Sequence, residues 1–175
     1  MRANEVLLGI LNRVQEIVHM GLKDVTPEQL LYHPDGHPNS IGWLAWHLTR
    51  VQDNTIPRMD GGPQLWTSAG WHAKFNMPAD PNESGHMHTP EQVAAVQPPN
   101  AQTLLDFHDA VAQRTRTFLE AQDSKTLDGP YDDARFNPPL TIGARLVGML
   151  NDNFQHAGQM AYLRGMLKGD RWYRV

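Results

Sequence analysis

The chain of 175 residues is 40% apolar and 19% charged, with five Trp, the composition of a globular protein with one well-buried core rather than a disordered segment. Its formal net charge of −4 offers no basic stripe for a phosphate backbone, which argues against nucleic acid as a partner. With no cysteine, disulfides, zinc ribbons and a protein-borne thiolate nucleophile are excluded, so any thiol chemistry needs a thiol brought from outside.

One domain over residues 1–175 is expected. Near the N-terminus Arg2, Asn4, Glu5, Asn12, Arg13, Gln15 and Glu16 break up any signal-peptide apolar segment. No apolar run approaches the ~18 residues of a membrane span. A cytoplasmic protein without membrane contact is the expectation.

Leu7, Ile10, Leu11, Val14, Ile17 and Val18 recur at three- and four-residue spacing, which predicts an amphipathic helix from about Asn4 to Leu22. Thr26-Pro27-Glu28-Gln29 has the form of a capping box and predicts a short turn before Pro34. Helix two begins after Asn39 or Ser40 and runs until Pro57. From Pro57 to His88 no helical period persists, and Gly and Pro punctuate the stretch, so a long loop with a function of its own is expected.

Thr89-Pro90-Glu91-Gln92 reuses the first cap for a helix ending before Pro98. Asn100 caps helix three, whose stripe is Ala101, Leu104, Leu105, His108, Val111, Ala112, Thr115, Phe118 and Leu119. A second loop over 123–140 leads to Thr141, the cap of a last helix that runs to about Lys168, with Gly169 as its stop. No segment alternates with period two, so the fold class is all-α: a four-helix bundle with a long loop between helices two and three.

On helix four Asp152 and His156 stand at i and i+4, on one face and one turn apart. At about 100° per residue, His47 on helix two lies within about 60° of Trp43, Leu44 and Val51, so its ring also points among apolar neighbours. Two neutral imidazoles and one carboxylate leave open positions on a divalent ion, the arrangement of catalytic rather than structural sites. A single His on an apolar stripe is more often a hydrogen-bonded core residue, and an Asp-x-x-x-His pair is common, so spacing alone leaves both readings open.

The strings NSIGWLAWHLTRVQD and NDNFQHAGQMAYLRG resemble the two signature helices of the DinB-like superfamily, and GWHAKFNMP and GHMHTP resemble its actinobacterial branch of mycothiol-dependent S-transferases. The likeness covers most of the chain. It implies one metal ligand from helix two and two from helix four, that is His47, Asp152 and His156. Many members have His-x-x-x-His on helix four; the mycothiol-dependent ones, the resemblance implies, have a carboxylate there, normally Glu. Asp152 is one methylene shorter, so either the helices approach more closely or the ion is held more weakly.

The metal implied is zinc, with nickel or another divalent ion as alternatives. Mycothiol is implied as the thiol co-substrate and a small electrophile as its partner, in an S-conjugation or thiol-assisted isomerisation. A homodimer is one assembly open to such a protein. The alternatives in other classes are a non-catalytic metal-binding stress-response bundle and a metal-dependent hydrolase, since the same ion can activate water.

Around the site Trp43, Trp66, Trp71, Phe75 and Arg145 are the candidate substrate-binding residues. The three loop aromatics either wall the substrate or anchor the loop. Arg145, Arg164, Lys168, Arg171 and Arg174 make helix four and the tail basic, which steers an anion or merely complements a helix terminus. His33, His37, His86 and His88 are weaker metal candidates, His108 is expected to be packed, and Gly158 is expected to allow close helix approach.

Overall fold

The structure is a computed structural model that describes residues 2–169; Arg171 and Arg174 lie outside the described residues. Four long helices make the frame: α1 (Ala3–Leu22), α3 (Ile41–Thr55), α8 (Ala101–Glu120) and α10 (Ile142–Lys168). Each packs against two others, α1 on α8 and α10, α3 on the same two. The frame is thus four-cornered, and the α3–α10 edge carries the site. Among the described residues there is no strand, only an isolated bridge between Pro130 and Thr141.

The caps fall where local chemistry places them. Ser40, Asn100 and Thr141 each accept from the backbone N–H three residues on, at 3.2, 2.8 and 3.1 Å. Thr26 and Thr89 form reciprocal capping boxes that start the short helices α2 (Pro27–Leu30) and α7 (Pro90–Ala95).

The stretch from Pro57 to His88 departs from a plain loop. It contains three single-turn helices, α4 (Pro57–Asp60), α5 (Leu65–Ser68) and α6 (Trp71–Lys74). One turn is too short to show a period in the sequence, which is why none was legible. The second loop likewise holds α9 (Ser124–Leu127), capped by the Asp123 carboxylate.

Helix α3 is buried on every side from Ile41 to Arg50, because α8 and α10 flank it and the 57–98 segment straps over its remaining face. A polar side chain on such a helix must find a partner in the protein. Gln52 reaches Thr115 at 2.7 Å and Asn153 at 2.8 Å, joining α3, α8 and α10. Thr49 donates to the Ala45 carbonyl and therefore accepts from Nδ1 of His108, 3.0 Å away in α8. His108 is fully buried, as expected.

Arg50 and Asp53 form a fully buried ion pair at 2.9 Å that organises the strap. Arg50 also donates to the carbonyls of Glu83 and Pro81 and to Gln64 Oε1. Asp53 accepts from the backbone N–H groups of Leu65 and Trp66, both at 2.8 Å.

Gly158 does not mediate close packing: a Cβ there would meet nothing within 4 Å. Close approach occurs at Gly21 of α1, where a Cβ would stand 2.5 Å from the Met160 Cε of α10. Arg164 and Lys168 donate to the carbonyls of Gly21 and Asp24 at the C-terminal end of α1, where a cation complements the helix dipole.

Candidate metal centre

Trp43 and His47 sit on successive turns of α3 and stack, with ring centroids 4.6 Å apart and planes 6° from parallel. The edge of His156 from α10 meets both rings, 4.8 Å from His47 and 6.2 Å from Trp43. One turn back on α10, Asp152 Oδ1 lies 3.6 Å from His156 Nε2, too long for a hydrogen bond. His47, Asp152 and His156 each offer a ligand atom, all within 4.8 Å of one another.

Both imidazoles are oriented from behind. Nδ1 of His47 donates to the Ser84 carbonyl, and Nδ1 of His156 donates to Gln159 Oε1 at 2.8 Å. Each ring therefore keeps Nε2 as its free lone pair, the pattern by which outer partners fix the tautomer of a metal-binding His. Burial, reinforced by the neighbouring His156, holds His47 below its ordinary pKa despite the Ser84 bond, so it is neutral and ready to ligate.

Burial also pushes His156 down, but the Asp152 and Gln159 contacts outweigh it and its pKa ends raised. For Asp152, burial works upward and the two His rings and Arg145 work downward, leaving the pKa lowered and the carboxylate ionised.

The fit to a divalent ion rests on one further atom. Asp152 Oδ2 is buried and has no hydrogen-bond partner, a costly arrangement for an ionised carboxylate unless a cation completes it. Ligand atoms sharing a tetrahedral ion at about 2.1 Å stand about 3.4 Å apart, so side-chain rotation covers the remaining gap. Three protein ligands leave positions open. His47 and Asp152 also line a cavity of about 450 Å³ on to which those positions can face.

Of the residues expected around this cavity, Arg145 lines it. Trp43 is 5% exposed and packs on the ligand rings rather than on the cavity. Trp66, Trp71 and Phe75 do not line it. They cluster on Phe107 of α8, at centroid distances of 5.6, 5.2 and 5.7 Å, because large rings gain more from the dry core than from a wet cavity. They anchor the strap, with Lys74 over Trp71 and Arg50 over Trp66.

The part of the strap that covers the ligands is instead 81–88. Gly85 has φ +85, and a Cβ there would stand 2.8 Å from His47 Nδ1, 2.9 Å from Trp46 and 3.1 Å from Trp43. His88, which accepts from Trp43 Nε1 and donates to Glu83, is tied into this cover, while His86 lines the cavity. Among the described residues no other cluster of His and acidic groups can hold a metal.

Sequence reasoning missed Arg50, Asp53, Gln159 and the Ser84-Gly85 turn. Arg50 stands three residues after His47 and Gln159 three after His156, so helical spacing placed them beside the candidate ligands, and Asp53 stands three after Arg50. The Ser84 contribution is a backbone carbonyl, which no residue type announces.

The model of the DinB superfamily matches residues 10–160. A crystal structure described as that of "the conserved protein of locus from Enterococcus faecalis" is similar to this chain at 30% identity and a TM-score of 0.86, covering 97% of this chain and 99% of that one. No curated protein matches the chain. No helix of the described residues is long and apolar enough to cross a membrane.

Proposed function

We propose, on the premise that this chain belongs to the DinB superfamily, that it is a metal-dependent S-transferase joining a low-molecular-weight thiol to a small electrophile. Zinc is the proposed ion and mycothiol the proposed thiol. The observation that carries this reading is the convergence of His47, Asp152 and His156, two of which, His47 and Asp152, line a cavity, in a chain with no thiol of its own.

A divalent ion on these ligands would lower the pKa of a thiol from about 8.5 toward or below neutrality, so that thiolate is present without a dedicated base. The chain's own residues supply the rest. Ser84 and Gln159 fix the two imidazoles, and the Arg50–Asp53 pair holds the strap over them. Trp43 and Gly85 close the back of the site, so that approach is from the cavity side.

In the transfer the sulfur forms a bond to the electrophilic carbon. Either a leaving group departs with its electron pair or a double bond takes up the pair and then a proton from solvent; the thiol proton goes to solvent. Positioning two reactants in one cavity makes the step effectively unimolecular.

The test is mycothiol consumption by zinc-loaded protein with haloarenes, epoxides and unsaturated acids, against His47→Ala. Thiol loss above that variant supports the reading. A water-only hydrolysis that depends on His47, with no thiol loss, would replace it.

A further inference from the structure

The cavity beside the ligands is lined by two chemically different groups, His47 and Asp152 on the one hand and Arg58, Arg135 and Arg145 on the other. The helices set this layout. Arg145 precedes Asp152 by seven residues on α10, so both lie on one face roughly 10 Å apart along the axis. Gly148 lies between them, and a Cβ there would meet only Arg145 Nη1, at 3.8 Å. Gly148 therefore leaves the space beside Arg145 open.

The arginine group is under-compensated. Asp133 pairs with Arg135 and, at 3.7 Å, with Arg58. Arg145 forms no salt bridge among the described residues; its Nη2 donates to Thr55 Oγ1 at 2.7 Å, and its Nε is buried without an acceptor. Three guanidinium groups thus share two carboxylates, Asp133 and the Asp152 whose pKa Arg145 helps to hold down. A guanidinium is a planar fork of donors that suits a carboxylate or phosphate. The cavity volume, about 450 Å³, is that of a small-molecule site.

We propose that the electrophile carries an anionic group, a carboxylate or phosphate, which Arg145 receives with Arg58 and Arg135 at its sides. That contact points the rest of the molecule past Gly148 toward His47, Asp152 and His156. Calling the ligand an electrophile rests on the S-transferase reading; the anion site itself does not.

The test uses no thiol, so the two readings fail separately. Succinate, inorganic phosphate and neutral succinamide are titrated calorimetrically into zinc-loaded and metal-free protein at one ionic strength. Succinate or phosphate is expected to bind, and which of them does identifies the group; succinamide is expected not to. Arg145→Gln should weaken anion binding at least tenfold, Arg145→Lys should restore part of it, and Gly148→Leu should block it, all with zinc content unchanged. Anion binding equal to that of succinamide, binding unaffected by Arg145→Gln, or binding that requires zinc and ignores Arg145 would each overturn the proposal.

Discussion

His47 Nδ1 donates to the backbone carbonyl of Ser84, so a candidate ligand on α3 is aimed by a strap that returns 37 residues later. Gly85 presses against the same ring with a positive φ and no room for a Cβ.

Gly85→Ala is therefore expected to displace either the strap or the His47 ring. Loss of an outer-shell partner typically costs ten- to a hundredfold in metal affinity, and that loss should appear in a zinc titration while far-UV circular dichroism stays unchanged. Unaltered affinity would mean that the strap does not orient the ligand.

Asp152→Ala removes a ligand and also a buried carboxylate oxygen that has no partner in the protein. Bound zinc should fall sharply while metal-free stability stays level or rises, since an unsatisfied buried group costs about 1–3 kcal/mol. The readouts are metal analysis and urea denaturation of the metal-free protein. Loss of helix on metal removal from the wild type would indicate a structural ion instead.

The buried Arg50–Asp53 pair holds the strap to α3. Burial lowers the Arg50 pKa to about 10, still charged at neutral pH, and raises that of Asp53. Arg50→Met should leave the Asp53 carboxylate buried without its cation, at a cost of about 3–5 kcal/mol. Denaturation should show that loss, and hydrogen exchange should show faster opening of 64–85 than of α1.

His108 sets a pH dependence remote from the ligands. Burial lowers its pKa from 6.5 to about 4, because Nδ1 is used by Thr49 and Nε2 has no acceptor to receive an added proton. The unfolded chain binds the proton first, so this contribution is fully present above pH 6.5, falls as pH drops toward 4, and amounts to about 3 kcal/mol across that window. His108→Gln should flatten the wild-type stability profile between pH 6.5 and 4; an unchanged slope would contradict the assignment.

Much of this architecture was legible from local chemistry. Thr26, Thr89, Asn100 and Thr141 stand immediately before their helices, because a side-chain cap acts within one turn. The candidate trio was legible for a similar reason: i and i+4 spacing joins Asp152 to His156, the apolar neighbours of His47 turn its ring inward, and family resemblance implied all three as ligands. The role of the loop aromatics was not. Whether Trp66 lines a cavity or packs on Phe107 depends on where α8 lies, a contact across 41 residues of chain (107 − 66). The Arg58, Arg135 and Arg145 cluster was equally hidden, since three separate segments supply it.

The central claim is that His47, Asp152 and His156 hold one ion whose open position accepts an external thiol. Cobalt-substituted protein tests it most directly, because a sulfur bound to cobalt gives a charge-transfer absorption that oxygen and nitrogen ligands do not. The wild type should bind one cobalt and gain that absorption on adding one equivalent of mycothiol, whereas His47→Ala and His156→Ala should show neither. One bound cobalt with no new absorption at any thiol concentration would contradict the account.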